Sequence, residues 1–110
     1  MFKYDNKSVV ADYETGYLCQ IDYLGDNKLR WTSLKERTDN SPMSGEETFS
    51  FVEIADDVFF INWIEEGGLV VSQIADFKNM KVTAFMTWDD EKGRGHRGQL
   101  LHSGTLTFKE

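Results

Sequence analysis

Residues Phe49–Phe77 read FSFVEIADDVFFINWIEEGGLVVSQIADF. Runs rich in aromatic and β-branched residues alternate here with Ala55-Asp56-Asp57 and Glu66-Gly67-Gly68. Such runs suit strands, and Asp and Gly close hairpins because they tolerate positive φ. The segment therefore predicts three successive strands joined by tight turns. Its middle strand ends in Trp63-Ile64-Glu65. Residues two apart share one face of a strand. Phe59, Ile61, Trp63 and Glu65 thus look one way, and Val58, Phe60, Asn62 and Ile64 look the other. If Trp63 faces the interior of a small barrel, so does Glu65. A carboxylate in an apolar space is costly unless something binds or pairs it. Glu65 is the leading candidate for function.

The same alternation extends in both directions. Strands are expected at Val9–Tyr13, Tyr17–Leu24, Lys28–Lys35, Thr48–Ile54, Val58–Glu65, Leu69–Phe77, Met80–Trp88 and Leu100–Phe108. Glu14-Thr15-Gly16, Gly25-Asp26-Asn27 and Lys78-Asn79 supply further turns. Two polar stretches, Glu36–Glu47 with the only proline and Asp89–Gly98, read as loops. No helical period is sustained. About eight hairpin-linked strands make a meander, and closing it removes the exposed sheet edges. The expected fold is all-β: a single antiparallel up-and-down barrel occupying 1–110. An eight-strand barrel has an interior wide enough for side chains or one small ligand.

Composition narrows the function classes. The chain has 110 residues, 40% hydrophobic and 14% aromatic, with 12 basic against 19 acidic residues and a net charge of −7. That size and make-up suit one globular core. An acidic surface repels phosphate, so neither nucleic acid nor a membrane is an expected partner. Cys19 is the only cysteine, so no disulfide can form within the chain. With no apolar leader or membrane-length run, a cytoplasmic protein is expected. No metal is expected, because His96 and His102 are too few and too far apart for a ligand cluster. No cofactor is expected either, for want of a phosphate loop or a dinucleotide fingerprint. Lys92, Arg94, His96 and Arg97 read as a solvated basic loop.

The expected lining includes Tyr13, Tyr23, Trp31, Trp63, Glu65, Gln73 and Met86, mostly aromatic with a few polar groups, as ligand pockets are. Ala11, Cys19, Ile21, Phe49, Phe51, Val71, Ala84 and Trp88 complete the inward set. Core packing would place the tryptophans and Tyr13 there equally well.

The run Asp12-Tyr13-Glu14-Thr15-Gly16-Tyr17, followed by Trp63-Ile64-Glu65, Gly67-Gly68 and Val70-Val71-Ser72, resembles the phenolic acid decarboxylase and MoaF-like group of small calycin, lipocalin-like barrels. The resemblance implies a first-strand tyrosine pair and an arginine that hold a substrate carboxylate, with a glutamate acting by proton transfer. Tyr13 matches the second tyrosine and Glu65 the glutamate. Ala11 stands in place of the first tyrosine, and Ser41–Gly45 holds no arginine, leaving Arg37 as the nearest. The expected function is MoaF-like binding of a small hydrophobic or aromatic ligand, without decarboxylation. The alternatives are general acid/base catalysis by Glu65 and Tyr13, or a structural module with a filled barrel. Both faces of the fifth strand are apolar, so a homodimer is also expected.

Overall fold

The computed structural model describes residues 1–109. Eight strands run in chain order: β1 Ser8–Tyr13, β2 Leu18–Gly25, β3 Lys28–Ser33, β4 Ser44–Ala55, β5 Val58–Ile64, β6 Val70–Asp76, β7 Lys81–Asp89 and β8 Arg97–Phe108. Each pairs antiparallel with its sequence neighbours, and β8 returns to β1, closing the barrel. Among the described residues the only helical turn is a short 3-10 element at Arg94–His96. No helix there is long and apolar enough to cross a membrane.

The turn residues act as their chemistry dictates. Asp26 and Asn27 take φ of 55° and 58° between β2 and β3, the left-handed pair that a two-residue hairpin requires. Asp57 adopts φ 61° between β4 and β5. Closure depends on Gly104. A Cβ there would lie 1.9 Å from the Asp12 carbonyl oxygen, so only glycine lets β8 approach β1 this closely.

Strand β4 differs most from expectation. Its first half pairs with β3, from Thr32↔Ser44 to Lys28↔Thr48. Its second half pairs with β5, from Phe49↔Trp63 to Ala55↔Val58. Ser44–Glu47, expected in a loop, therefore belongs to the barrel wall. The run Ser-Gly-Glu-Glu has little strand propensity of its own and is held by β3. Gly45 also makes room for Trp31, whose indole nitrogen lies 2.9 Å from where a Gly45 Cβ would sit.

The two ends of the barrel are built differently. At the end bearing the β2–β3, β4–β5 and β6–β7 turns, the N-terminal residues fold beneath the strands. Phe2 is buried, with its ring 4.6 Å from Tyr23, 4.9 Å from Phe51, 5.1 Å from Phe59 and 5.4 Å from Phe49. Tyr4 stacks on Phe77 at 4.1 Å and donates its hydroxyl hydrogen to Asp57 Oδ1 at 2.7 Å. Aromatic rings thus seal this closed end. The other end carries the polar groups.

Candidate functional site at the open end

The open end is framed by the β1–β2, β3–β4, β5–β6 and β7–β8 connections. Trp31 and Trp63 stand at the inward ends of β3 and β5, and both are buried. Each indole N–H is directed at a carboxylate. Trp31 Nε1 donates to Glu47 Oε2 at 2.9 Å, and Trp63 Nε1 donates to Glu65 Oε2 at 3.2 Å. The β4–β5 register ends at Phe49↔Trp63. Glu47 on β4 and Glu65, just past the end of β5, are the next inward positions beyond that pair. An open groove runs along the outer side of this seam, bordered by Glu46, Thr48, Ser50, Asn62 and Ile64.

Burial raises the pKa of Glu65. The Trp63 hydrogen bond opposes that shift, the charge of Glu47 adds to it, and the charge of Arg37 reduces it. Arg37 itself reaches over the mouth, with its guanidinium carbon 5.6 Å from the Trp31 ring centre. Protonated Glu65 suits the folded barrel better than ionised Glu65 does. Its contribution to stability is therefore present at low pH and lost as pH rises through the raised folded value. Glu65→Gln stays uncharged and still offers Trp63 an acceptor. Its Tm relative to wild type should climb as pH rises from about 4 through the raised folded value. Thermal melts across that range check this, and a constant difference would place Glu65 in bulk water.

Deeper in, Tyr13 and Gln73 are buried. Gln73 Nε2 donates to the Tyr13 hydroxyl at 3.0 Å. The Tyr13 ring lies flat on the His102 imidazole, centroids 3.9 Å apart and planes 7° from parallel. Burial pushes the Tyr13 hydroxyl up to about 12 and the Cys19 thiol up to about 11, so both stay protonated at neutral pH. Cys19 is then a packing residue and a weak donor. Met86 is half-buried and packs against the core. Trp88 lies over Gly98, its Nε1 2.4 Å from where a Gly98 Cβ would be.

The residues expected at the site thus fall into two groups. Tyr13, Trp31, Trp63, Glu65, Gln73 and Met86 lie in the open half. Tyr23 packs against Phe2 and Phe49 in the closed half, and its hydroxyl pKa is raised chiefly by burial, with a lesser rise from Tyr13. Glu47 and His102 went unassigned by sequence reasoning. Glu47 was hidden in a stretch that reads as loop. His102 shares an inward face with Leu106, a signal visible in the alternation of Leu100, His102, Gly104 and Leu106. Arg97 is not free to meet an anion. Its Nη2 donates to the Gly68 and Thr87 carbonyls at 3.0 and 2.9 Å, and its Nη1 pairs with Asp89 at 2.7 Å. It ties the β5–β6 hairpin to β7.

Among the described residues no group of three or more His, Cys, Asp and Glu side chains could hold a metal ion. A crystal structure described as "a putative beta-lactamase from Burkholderia vietnamiensis" is similar to this chain, with a TM-score of 0.81 and 19% sequence identity over 98% of this chain and 97% of the other. At that identity the likeness carries the barrel alone. No curated protein shows significant similarity to the chain. The MoaF-like family matches residues 5–101, which span seven strands and the start of the eighth, and the chain belongs to that family.

Proposed function

We propose that this MoaF-like barrel binds a small, neutral, largely apolar planar molecule in its open half. The observation that carries the reading is the division of the interior. Phenylalanines fill one end, while the other gathers two indoles, two carboxylates, Tyr13, Gln73 and His102 beneath open connections. Aromatic walls with a few fixed polar groups are what small-molecule sites use. A filled structural module has no need of carboxylates turned inward. The test is titration with phenylnaphthylamine, a neutral aromatic that fluoresces when shielded from water. Saturable binding at one molecule per barrel is expected, weakening as pH rises and Glu65 ionises. Glu65→Gln should remove that pH dependence. Failure to bind would favour the structural module.

General acid/base catalysis is the second reading, favoured by the raised pKa of Glu65 beside Glu47. Decarboxylation of hydroxycinnamic acids is not expected. Ala11 supplies no hydroxyl, and Glu47 and Glu65 repel a substrate carboxylate that lacks a dedicated bidentate arginine. Incubating the purified protein with such an acid should release no product. Rapid release would make the protein an enzyme.

The outer face favours a dimer. Val52, Phe60 and Ile74 stand side by side in one register row, and Phe85 and Leu101 pair in the adjacent one. All five are exposed, and Asn62, Ser72, Thr83 and Ser103 among them carry no charge. On a chain of net charge −7, this is a face where a second copy meets little repulsion. Sedimentation equilibrium at micromolar concentration should give a dimer, and Leu101→Lys a monomer. A wild-type monomer would leave the patch without this role.

A further inference from the structure

Two polar groups in the barrel interior have hydrogen-bonding capacity that no protein atom takes up. The first is the Tyr13 hydroxyl. Its oxygen accepts from Gln73 Nε2 at 3.0 Å, so what it has left to offer is its proton. The second belongs to His102, which is 1% exposed yet has no partner for Nε2. The other ring nitrogen, Nδ1, lies 2.6 Å from Thr15 Oγ1. A separation that short is usual for a hydroxyl donor and shorter than an N–H to oxygen bond normally becomes. With Thr15 donating to Nδ1, the proton of the neutral imidazole resides on Nε2. Burial lowers the His102 pKa, with the charge of Glu14 opposing, in keeping with a neutral ring. A buried donor left unmade is expensive. Two of them on rings stacked at 3.9 Å describe a place waiting for an acceptor.

We propose that the Tyr13 hydroxyl and His102 Nε2–H form a carbonyl-binding station inside the barrel, recognising the ketone, aldehyde or ester oxygen of an otherwise apolar ligand. This rests on the pocket reading above and names the chemistry the pocket selects. A carbonyl accepts two hydrogen bonds without bringing charge into a dry interior. A carboxylate would have to be stripped of water close to Glu47 and Glu65, with only neutral donors to receive it. Tyr13 and His102 are binding residues in this account, and Thr15 positions the imidazole by fixing its tautomer.

Acetophenone and ethylbenzene test the proposal, since they differ chiefly by the carbonyl oxygen. Ligand-observed NMR should show acetophenone binding wild type about tenfold more tightly than ethylbenzene. Tyr13→Phe and His102→Phe keep the stacked rings but remove one donor each, and each should cut the preference to about threefold or less. Infrared spectroscopy of bound acetophenone should show its carbonyl stretch lowered in wild type and partly restored in either variant. Nitrogen chemical shifts of His102 in the unliganded wild type, which need no variant to fold, should report hydrogen on Nε2. Equal affinity for the two probes would overturn the station while leaving the pocket in place, with water satisfying the donors. A tautomer with hydrogen on Nδ1 would also overturn it. Binding of phenylnaphthylamine with no binding of acetophenone would sink the station alone, and failure of all three ligands would sink the pocket as well.

Discussion

Phe2→Ala is expected to lower stability by about 3–5 kcal/mol, the usual cost of emptying a packed aromatic site. For a chain of this size that corresponds to a fall in Tm on the order of 15 °C. Phe2 lies six residues before the first paired strand position, Ser8, and takes no part in the sheet. Its contribution is that of a plug, with ring centroids of Tyr23, Phe49, Phe51 and Phe59 all between 4.6 and 5.4 Å away. The backbone holds it in place. Asn6 N–H donates to the Tyr23 carbonyl at 2.7 Å, and Tyr23 N–H returns a bond to Lys7 at 3.0 Å. Removing the ring leaves a cavity that rigid neighbouring strands close only in part. Differential scanning calorimetry checks this. A Tm within a few degrees of wild type would mean that the closed end packs without the N-terminal segment.

Trp63→Leu should weaken phenylnaphthylamine binding about 30-fold, roughly 2 kcal/mol, through loss of aromatic contact area. Leucine keeps much of the apolar volume, so the barrel is expected to fold. The same change removes the N–H that holds Glu65 Oε2. That bond opposes the upward shift of the Glu65 pKa, so the pH at which ligand affinity falls should move higher still. Phe77→Leu at the closed end provides the contrast and should leave affinity near wild type. Similar losses from both substitutions would indicate a general effect of destabilisation, with no site at Trp63.

The barrel was legible because two local signals agreed. Alternation in Phe59, Ile61 and Trp63 set one face inward, and Asp and Asn placed the turns where positive φ was needed. Glu65 could be found from Trp63 because both obey the same period of two. Glu47 could not. Its surroundings, Ser44-Gly45-Glu46-Glu47, are polar and lack strand propensity, and only pairing with β3 makes them a wall. The plug was hidden for a related reason, since Phe2 and Tyr4 lie among charged residues in a segment with no strand pairing. His102 was overlooked because a lone histidine suggests a metal cluster or nothing. Its meaning depends on Tyr13 and Thr15, distant in sequence and adjacent only once β8 closes on β1. Arg97 likewise looks like one charge in a basic loop until folding brings the Gly68 carbonyl to it.

Chemical-shift mapping locates bound ligand without any substitution. Phenylnaphthylamine titrated into isotope-labelled protein should shift the Trp31 and Trp63 indole N–H signals and the backbone of Tyr13, Met86 and His102. Phe2, Phe59 and Phe77 should stay still. Shifts confined to the closed end, or to Val52, Phe60 and Ile74 on the outer face, would contradict a binding site in the open half of the barrel.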